Sequence, residues 1–341
     1  MYKRQTLYNG NKRLKTIQQE KLNNQVAELD VATSENNIQE SIAQVYIQIL
    51  YAAESVKVNE STLQVSIAQR DRGQELLNAG SIAKSDFAQL EAQVSTDRYQ
   101  LVTAQATLED YKLQLKQLLE LDGENEMNIY LPALSDENVL APLPTKKDVY
   151  IRALSLRPEI EASKLNVEAS ELGIGIAKSS YLPTISLSAG IGTNHTSGSD
   201  FTFGEQVKNG WNNSIGLSVS VPIFNNRQTK SAVQKAKLQY ETSMLSLLDE
   251  QKTLYKTIEG LWLDANSAQQ RYAAANEKLK STQISYELIS EQFNLGMKNT
   301  IELLTEKNNL LQAQQEQLQA KYMAILNTQL LKFYQGDQLA I

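Results

Sequence analysis

The sequence predicts a mainly α-helical protein with one short β-hairpin, its helices long, coiled-coil-like and arranged as an internal two-fold repeat. Three observations predict this class. Gly and Pro, the residues that punctuate regular structure, are missing from Asn11 to Arg72, from Ser81 to Asp122 and from Met297 to Gln335, and only Gly260 interrupts the span from Arg227 to Leu295. Residues 77–87, "LNAGSIAKSDF", are echoed 216 residues later by "FNLGMKNTIEL". Two stretches, "TISLSAGIG" and "SIGLSVSVPIF", alternate apolar with small residues and hold no charge on either face.

A chain of 341 residues is long enough for two or three ordinary domains or for one elongated repeat structure. Apolar residues at 41% and charged residues at 21% exclude a disordered chain. The net charge of -6, with no cluster of Lys and Arg, argues against nucleic acid as a partner. Without cysteine there is no disulfide, thiolate nucleophile or Cys-ligated metal. No window reaches the roughly 18 consecutive apolar residues of a transmembrane helix, so any membrane crossing has to be made by strands. The opening "MYKRQ" is what GTG TAT AAG AGA CAG would encode, a sequence resembling a transposon-end adaptor. These five residues are therefore expected not to be native and the chain to be a fragment.

The elements follow in order. Residues 1–120 are expected to be two helices joined by a turn near Gly80. A run of about 65 residues at roughly 1.5 Å per residue makes a rod on the order of 100 Å long, which must bury its apolar stripe against other rods. That stripe is Val31, Ile38, Ile42, Val45, Ile49, Ala52, Val56 and Leu63, stepping by sevens, fours and threes as a coiled-coil seam does. Its copy 216 residues on is Leu247, Leu254, Ile258, Leu261, Ala265, Ala268, Tyr272 and Leu279. Residues 121–150, with three prolines, are expected to form an irregular or mixed α/β connection. Residues 151–180 return to helix with Pro158 in the first turn. Residues 181–224 hold the two strands around a long, polar, glycine-rich loop at 193–213. Residues 225–335 repeat the helical pair around Gly296, with Leu304, Leu311, Leu318 and Ile325 as a heptad column beside Leu303, Leu310, Ala324 and Leu331. Residues 336–341 form a short tail.

An uncharged strand pair of this length is the pattern of a transmembrane β-barrel, and an ordinary amphipathic hairpin gives the same alternation. Tyr181, Phe203, Trp211 and Phe224 fall near the strand ends, where aromatic residues sit at membrane interfaces. Two strands cannot close a barrel, and open edges are not tolerated in lipid, so a membrane-spanning sheet would be shared among chains. The missing first hairpin is expected upstream of "TLYNG", which aligns with "PIFNN".

Nothing in the sequence points to catalysis, a cofactor or a metal site. His195 lies in the loop "GTNHTSG", and Gly173 and Gly175 in "ELGIGIAK" lie inside a helical pattern and do not follow a strand as a dinucleotide fingerprint would. The glycines at the two turns have a local reason, since a helix commonly ends on a left-handed residue. Asp86 and Glu302, each six residues after its glycine, fall in the first turn of a helix, where a carboxylate suits the dipole.

The stretches "LRPEIEASKLNVEASELGIGIAKSSYLPTISLSAG", "LSVSVPIFNNRQTKSAVQKAKLQYE" and "FNLGMKNTIELLTEKNNLLQAQQEQLQAKYMAILNTQLLKFYQG" together resemble the TolC-like outer-membrane efflux proteins. The resemblance implies a long α-helical barrel in the periplasm joined to an outer-membrane β-barrel shared by a homotrimer. It also implies passive conduction in a tripartite efflux or type I secretion system, with a periplasmic adaptor and an inner-membrane pump as partners. Residues 121–150 and 336–341 would be equatorial, and Gly80 and Gly296 would mark the closed periplasmic tip. By the same resemblance Glu302 and Thr305 take the pore-constriction positions, Thr305 standing where the family has a second acid. Lys298 and Asp86 match a tip latch, and Phe293 replaces a latch tyrosine. The alternative is a soluble periplasmic coiled-coil adaptor or scaffold, which has one helical hairpin where this sequence has two.

Overall fold

The computed structural model describes residues 1–121, 129–130 and 139–339. In chain order the elements are β1 (Tyr2–Asn9), α1 (Lys12–Asn78), α2 (Lys84–Leu118), α3 (Lys146–Leu156), α4 (Pro158–Lys178), β2 (Thr184–Gly192), α5 (Phe203–Asn209), β3 (Asn212–Ser220), α6 (Gln228–Asn294) and α7 (Thr300–Tyr334).

The repeat predicted from the sequence is carried through to the backbone. α1 and α6 are both 67 residues long, α2 and α7 both 35, and each begins 216 residues after its counterpart. The residues with positive φ pair up at the same offset: Gly10 with Asn226, Asn11 with Arg227, Gly80 with Gly296, and Glu120 with Gly336. These left-handed residues enter and close the helices, so both copies share one set of backbone punctuation.

The chain divides into two compact units. One comprises Met1–Thr33 and Arg157–Thr253. Its sheet has the order β1-β2-β3, antiparallel throughout, with Leu187 opposite Leu217 and Ala189 opposite Ile215. Ile215, Leu217 and Val219 on β3 all stand exposed. α4 lies against the start of α1, where Gln19 Nε2 donates to the carbonyl of Ala169 at 2.8 Å. The Lys15 side chain of α1 lies over Gly175 of α4, its Nζ 2.7 Å from where a Cβ would stand. Ser170 and Ser243 hydroxyls, 2.8 Å apart, join α4 to α6.

The other unit comprises Ser34–Leu156 and Leu254–Ile341. Its core centres on α7: Leu318, Tyr322, Ile325 and Leu330 pack with Ala43, Ile47 and Leu50 of α1 and with Ala268 and Tyr272 of α6. α7 is buried around much of its circumference, whereas its counterpart α2 buries only Leu90, Val94, Asp97 and Leu115. The column Leu303, Leu310, Ala324 and Leu331 is buried throughout, while Leu304 and Leu311 of the neighbouring column are only partly covered. Of the first seam, Ile49, Ala52 and Leu63 are buried, and Val31 and Ile38 are exposed.

Three expectations are corrected. Residues 2–9 form a third strand, where the first 120 residues were expected to be helical and the sheet two-stranded. Lys3, Arg4 and a register shift between Thr6 and Tyr8 destroy the period-two pattern in the sequence, yet the edge of β2 still pairs. Helix α3 starts at Lys146, inside the span expected to be an irregular or mixed α/β connection and ahead of the helix expected from residue 151. Thr145 and Asp148 cap it, the Asp148 N–H donating to Thr145 Oγ1 at 3.3 Å, and Arg157 is extended (ψ 124) because Pro158 follows. The loop 193–213 contains α5, capped by Thr202 and Glu205. Much of the expected 121–150 connection, namely 122–128 and 131–138, and the last two residues of the 336–341 tail lie outside the described residues. What is described of the connection is fastened to α6: Trp262 Nε1 donates to the carbonyl of Pro144 at 3.0 Å, and Gln269 Nε2 to those of Val139 and Ala141 at 2.9 and 2.8 Å.

Candidate functional site

The two turns are built alike. At the end of α1 the N–H of Gly80 donates to Leu77 O at 3.0 Å and that of Ser81 to Leu76 O at 2.8 Å. At the end of α6, Gly296 donates to Phe293 O at 2.9 Å and Met297 to Gln292 O at 2.8 Å. Both are Schellman closures with a left-handed glycine, φ 70 and 73. A Cβ on either would meet nothing within 4 Å, so backbone conformation alone demands glycine here.

The carboxylates that follow do different work. Asp86 accepts from the N–H of Ala83 at 3.4 Å. Alanine has no side-chain acceptor to answer, so only half of a capping box forms. Glu302 sits in a full box: its N–H donates to Asn299 Oδ1 at 2.9 Å and its carboxylate accepts from the N–H of Asn299 at 3.2 Å. Lys298 Nζ donates to the other oxygen of Glu302 at 2.5 Å. That hydrogen bond, with the Asn299 N–H, holds the Glu302 carboxyl below its usual range. Both side chains remain about a third exposed, at 33% and 39%. Thr305 is exposed and its hydroxyl donates to Ile301 O at 2.7 Å. Within the chain, then, the expected latch residues Lys298 and Asp86 are not joined to each other. Lys298 pairs instead with Glu302.

Phe293, also assigned to the latch, is buried at 2% exposure. It packs with Leu90 and Leu303 under the turns, with Leu76, Tyr286, Ile289 and Leu304 around them. Gly73 lets α2 come close, since a Cβ there would lie 2.3 Å from Leu90 Cδ1.

Above this apolar layer lies a polar one that the sequence reading missed. Lys307 Nζ of α7 donates to Asp97 Oδ2 of α2 and to Ser66 Oγ of α1, and Ser66 donates to the same carboxylate oxygen. All three are buried. Burial pushes the Lys307 ammonium down from its usual range, and Asp97 opposes that shift. The signal was present: Leu303, Lys307 and Leu310 run on coiled-coil spacing, as do Leu90, Val94 and Asp97, so polar residues occupy seam positions.

At the sheet, Tyr181 and Phe224 flank one end of the β2–β3 pair and Trp211 the other, all exposed. Phe203 opens α5 and packs edge-on against His195, ring centroids 5.3 Å apart. On the face shared by Leu187, Ala189, Ile215 and Leu217, β1 contributes Gln5 and Lys3.

Among the described residues, then, the chain joins a three-stranded sheet with two open edges and an uncharged strand pair to a helical hairpin that occurs twice. The family profile described as outer membrane efflux protein matches residues 149–336, more than half of the sequence, and the chain belongs to that family. It is 24% identical over 294 residues to the outer membrane efflux protein BepC of Brucella suis biovar 1 (strain 1330), covering 86% of this chain and 61% of that protein. To the outer membrane protein TolC of Escherichia coli (strain K12) it is 23% identical over 311 residues, covering 89% of this chain and 62% of TolC. The chain thus spans about three fifths of the length of these relatives. The CusC crystal structure shares the fold, with a TM-score of 0.85 at 18% identity over 99% of this chain and 77% of CusC.

Proposed function

We propose that this chain supplies one subunit of a homotrimeric outer-membrane conduit, a helical tunnel that passes substrates from the periplasm or from a pump to the exterior. The observation that carries the reading is the pairing, in one polypeptide, of strands β2 and β3 without a charge on either face and a helical hairpin repeated at a fixed 216-residue offset. Lipid is the environment that suits an exposed apolar face, and a closed barrel is the arrangement that satisfies open strand edges there. Three-fold symmetry would turn each residue at the glycine turns into a ring of three.

In this reading Gly80 and Gly296 form the periplasmic tip, and Glu302 and Thr305 line the constriction. Tyr181, Trp211, Phe224 and Phe203 meet the membrane interfaces. The conduit has no energy source of its own, so an inner-membrane pump and a periplasmic adaptor supply force and open the tip. A groove of about 500 Å³ between α6 and α7, lined by Asp264, Arg271, Lys278 and Glu316, offers the mixed charge that an adaptor helix could match. Asp86 and Lys298 act between subunits if they act as a latch, since one chain does not bring them together.

The test is reconstitution of the full-length protein in planar lipid bilayers after detergent extraction. Trimers on cross-linking and stepwise conductance are expected. A particle that is monomeric and soluble without detergent would favour the scaffold alternative.

A further inference from the structure

Lys307, Asp97 and Ser66 come from three helices and from both copies of the repeat, and each is at most 3% exposed. Besides accepting from Lys307 and Ser66, Asp97 accepts from Gln93 Nε2 at 2.9 Å, so both of its oxygens are occupied. One turn closer to the glycine end of the same helices, Gln69 Nε2 of α1 donates to Tyr286 Oη of α6 at 2.8 Å, which extends the polar layer to the fourth helix.

As a fastener this cluster is a poor choice. The desolvation of two charges offsets much of their attraction, and apolar residues of similar volume hold helices together at least as well. What a buried ion pair supplies that leucine does not is a single acceptable register, as buried polar residues do in coiled coils. An ammonium group that has to meet one carboxylate and one hydroxyl, on two different helices, leaves α7 one rotation and one height. The repeat does not duplicate the device. The equivalent positions carry Thr282, Ala313 and Glu91, which cannot form the pair. It acts only where α7 passes the α1–α2 hairpin.

Glu302 lies five residues before Lys307 on the same helix, and Thr305 two residues before it. A slip of α7 by one residue would turn both by roughly 100° about the helix axis. We propose that Ser66, Asp97 and Lys307 are positioning residues of the conduit: they fix the rotation of α7 and thereby the direction in which Glu302 and Thr305 face. This rests on the conduit reading above.

The experiment compares the full-length wild-type protein with the double variant Asp97→Leu/Lys307→Met, which removes the polar match without leaving a buried charge unpaired. Two readouts are taken. Spin labels at Gln64→Cys and Thr305→Cys report the distance between α1 and α7, and the absence of native cysteine keeps the labelling clean. Bilayer recordings report unitary conductance and the cation-over-anion permeability ratio. The wild type is expected to give one narrow distance. The double variant should assemble but show a broadened distance, several conductance levels and a permeability ratio close to that of Glu302→Gln, and the reversed pair Asp97→Lys/Lys307→Asp should restore part of the wild-type behaviour. A double variant with the wild-type distance and one wild-type conductance level overturns the proposal. If the wild type fails to conduct, the conduit reading is lost, and the distance measurement alone decides whether the cluster positions α7.

Discussion

At the scale of single residues, Lys298 matters as much as the acid it contacts. Its hydrogen bond to Glu302 is local, reaching from the turn before α7 to a residue four positions on, and exposed pairs of this kind add little to folding. Their effect on a pore is electrostatic. Lys298→Ala is expected to raise the cation-over-anion permeability ratio in bilayer recordings, Glu302→Gln to lower it, and Thr305→Asp to raise it by adding a second ring of charge. A Lys298→Ala channel with unchanged conductance and selectivity would remove Lys298 from the constriction. The depressed carboxyl of Glu302 also gives a pH signature. The box and ion pair contribute above the ordinary carboxylate range and are lost as pH falls through the lowered value, so protection of the Asn299 amide, measured against its intrinsic exchange rate, should be lost only in that acidic window. The glycines and the carboxylates were legible in the sequence because they recur at one offset, whereas Lys298, whose counterpart is Ile82, was singled out by resemblance alone. The Lys298–Glu302 pairing was legible too, since residues four apart around a helix start come within reach of each other.

At the scale of elements, the four long helices were legible to within about two turns, since long spans free of Gly and Pro leave the backbone no other regular choice. β1 escaped notice because Lys3, Arg4 and a bulge break the alternation on which a strand is recognised. Helix α5 escaped because it is short and its Thr-x-x-Glu cap lies in a stretch read as loop, and the start of α3 was placed late because its Thr-x-x-Asp cap lies in the proline-rich connection. The turns carry their own prediction. Gly296→Ala places a side chain at φ 73 with open space around it, so the cost is that of a left-handed alanine alone, about 1–2 kcal/mol, and Gly80→Ala should cost the same in thermal unfolding. Gly73→Ala is different in kind, because Leu90 must shift to admit the methyl group, and overpacking of this sort costs about 1–3 kcal/mol. Strands offer the opposite contrast. Leu217→Arg on the apolar face is expected to destabilise a membrane-inserted barrel by about 2–4 kcal/mol near the bilayer midplane, with little effect from the same change at Ser188 on the other face. Equal effects in heat-modifiability assays would mean that neither face meets lipid.

For the whole molecule, the central claim is that one copy leaves its own surfaces unfinished. β1 and β3 each have an unpaired edge, apolar side chains such as Ile215 and Leu217 face outward, and Val31 and Ile38 continue the coiled-coil seam of α1 without cover. The expectation of partner copies rests on the strand count and the heptads, both of which the sequence displays. The internal charge cluster was not, since a seam lysine and a seam aspartate reveal their pairing only when α7 is laid against α2. The most direct measurement is the mass of the detergent-extracted full-length protein, by light scattering and by cross-linking in intact membranes. Three copies per particle, with loss of solubility when detergent is withdrawn, is the predicted result. A single copy that stays folded and dispersed in plain buffer would contradict the account at its root.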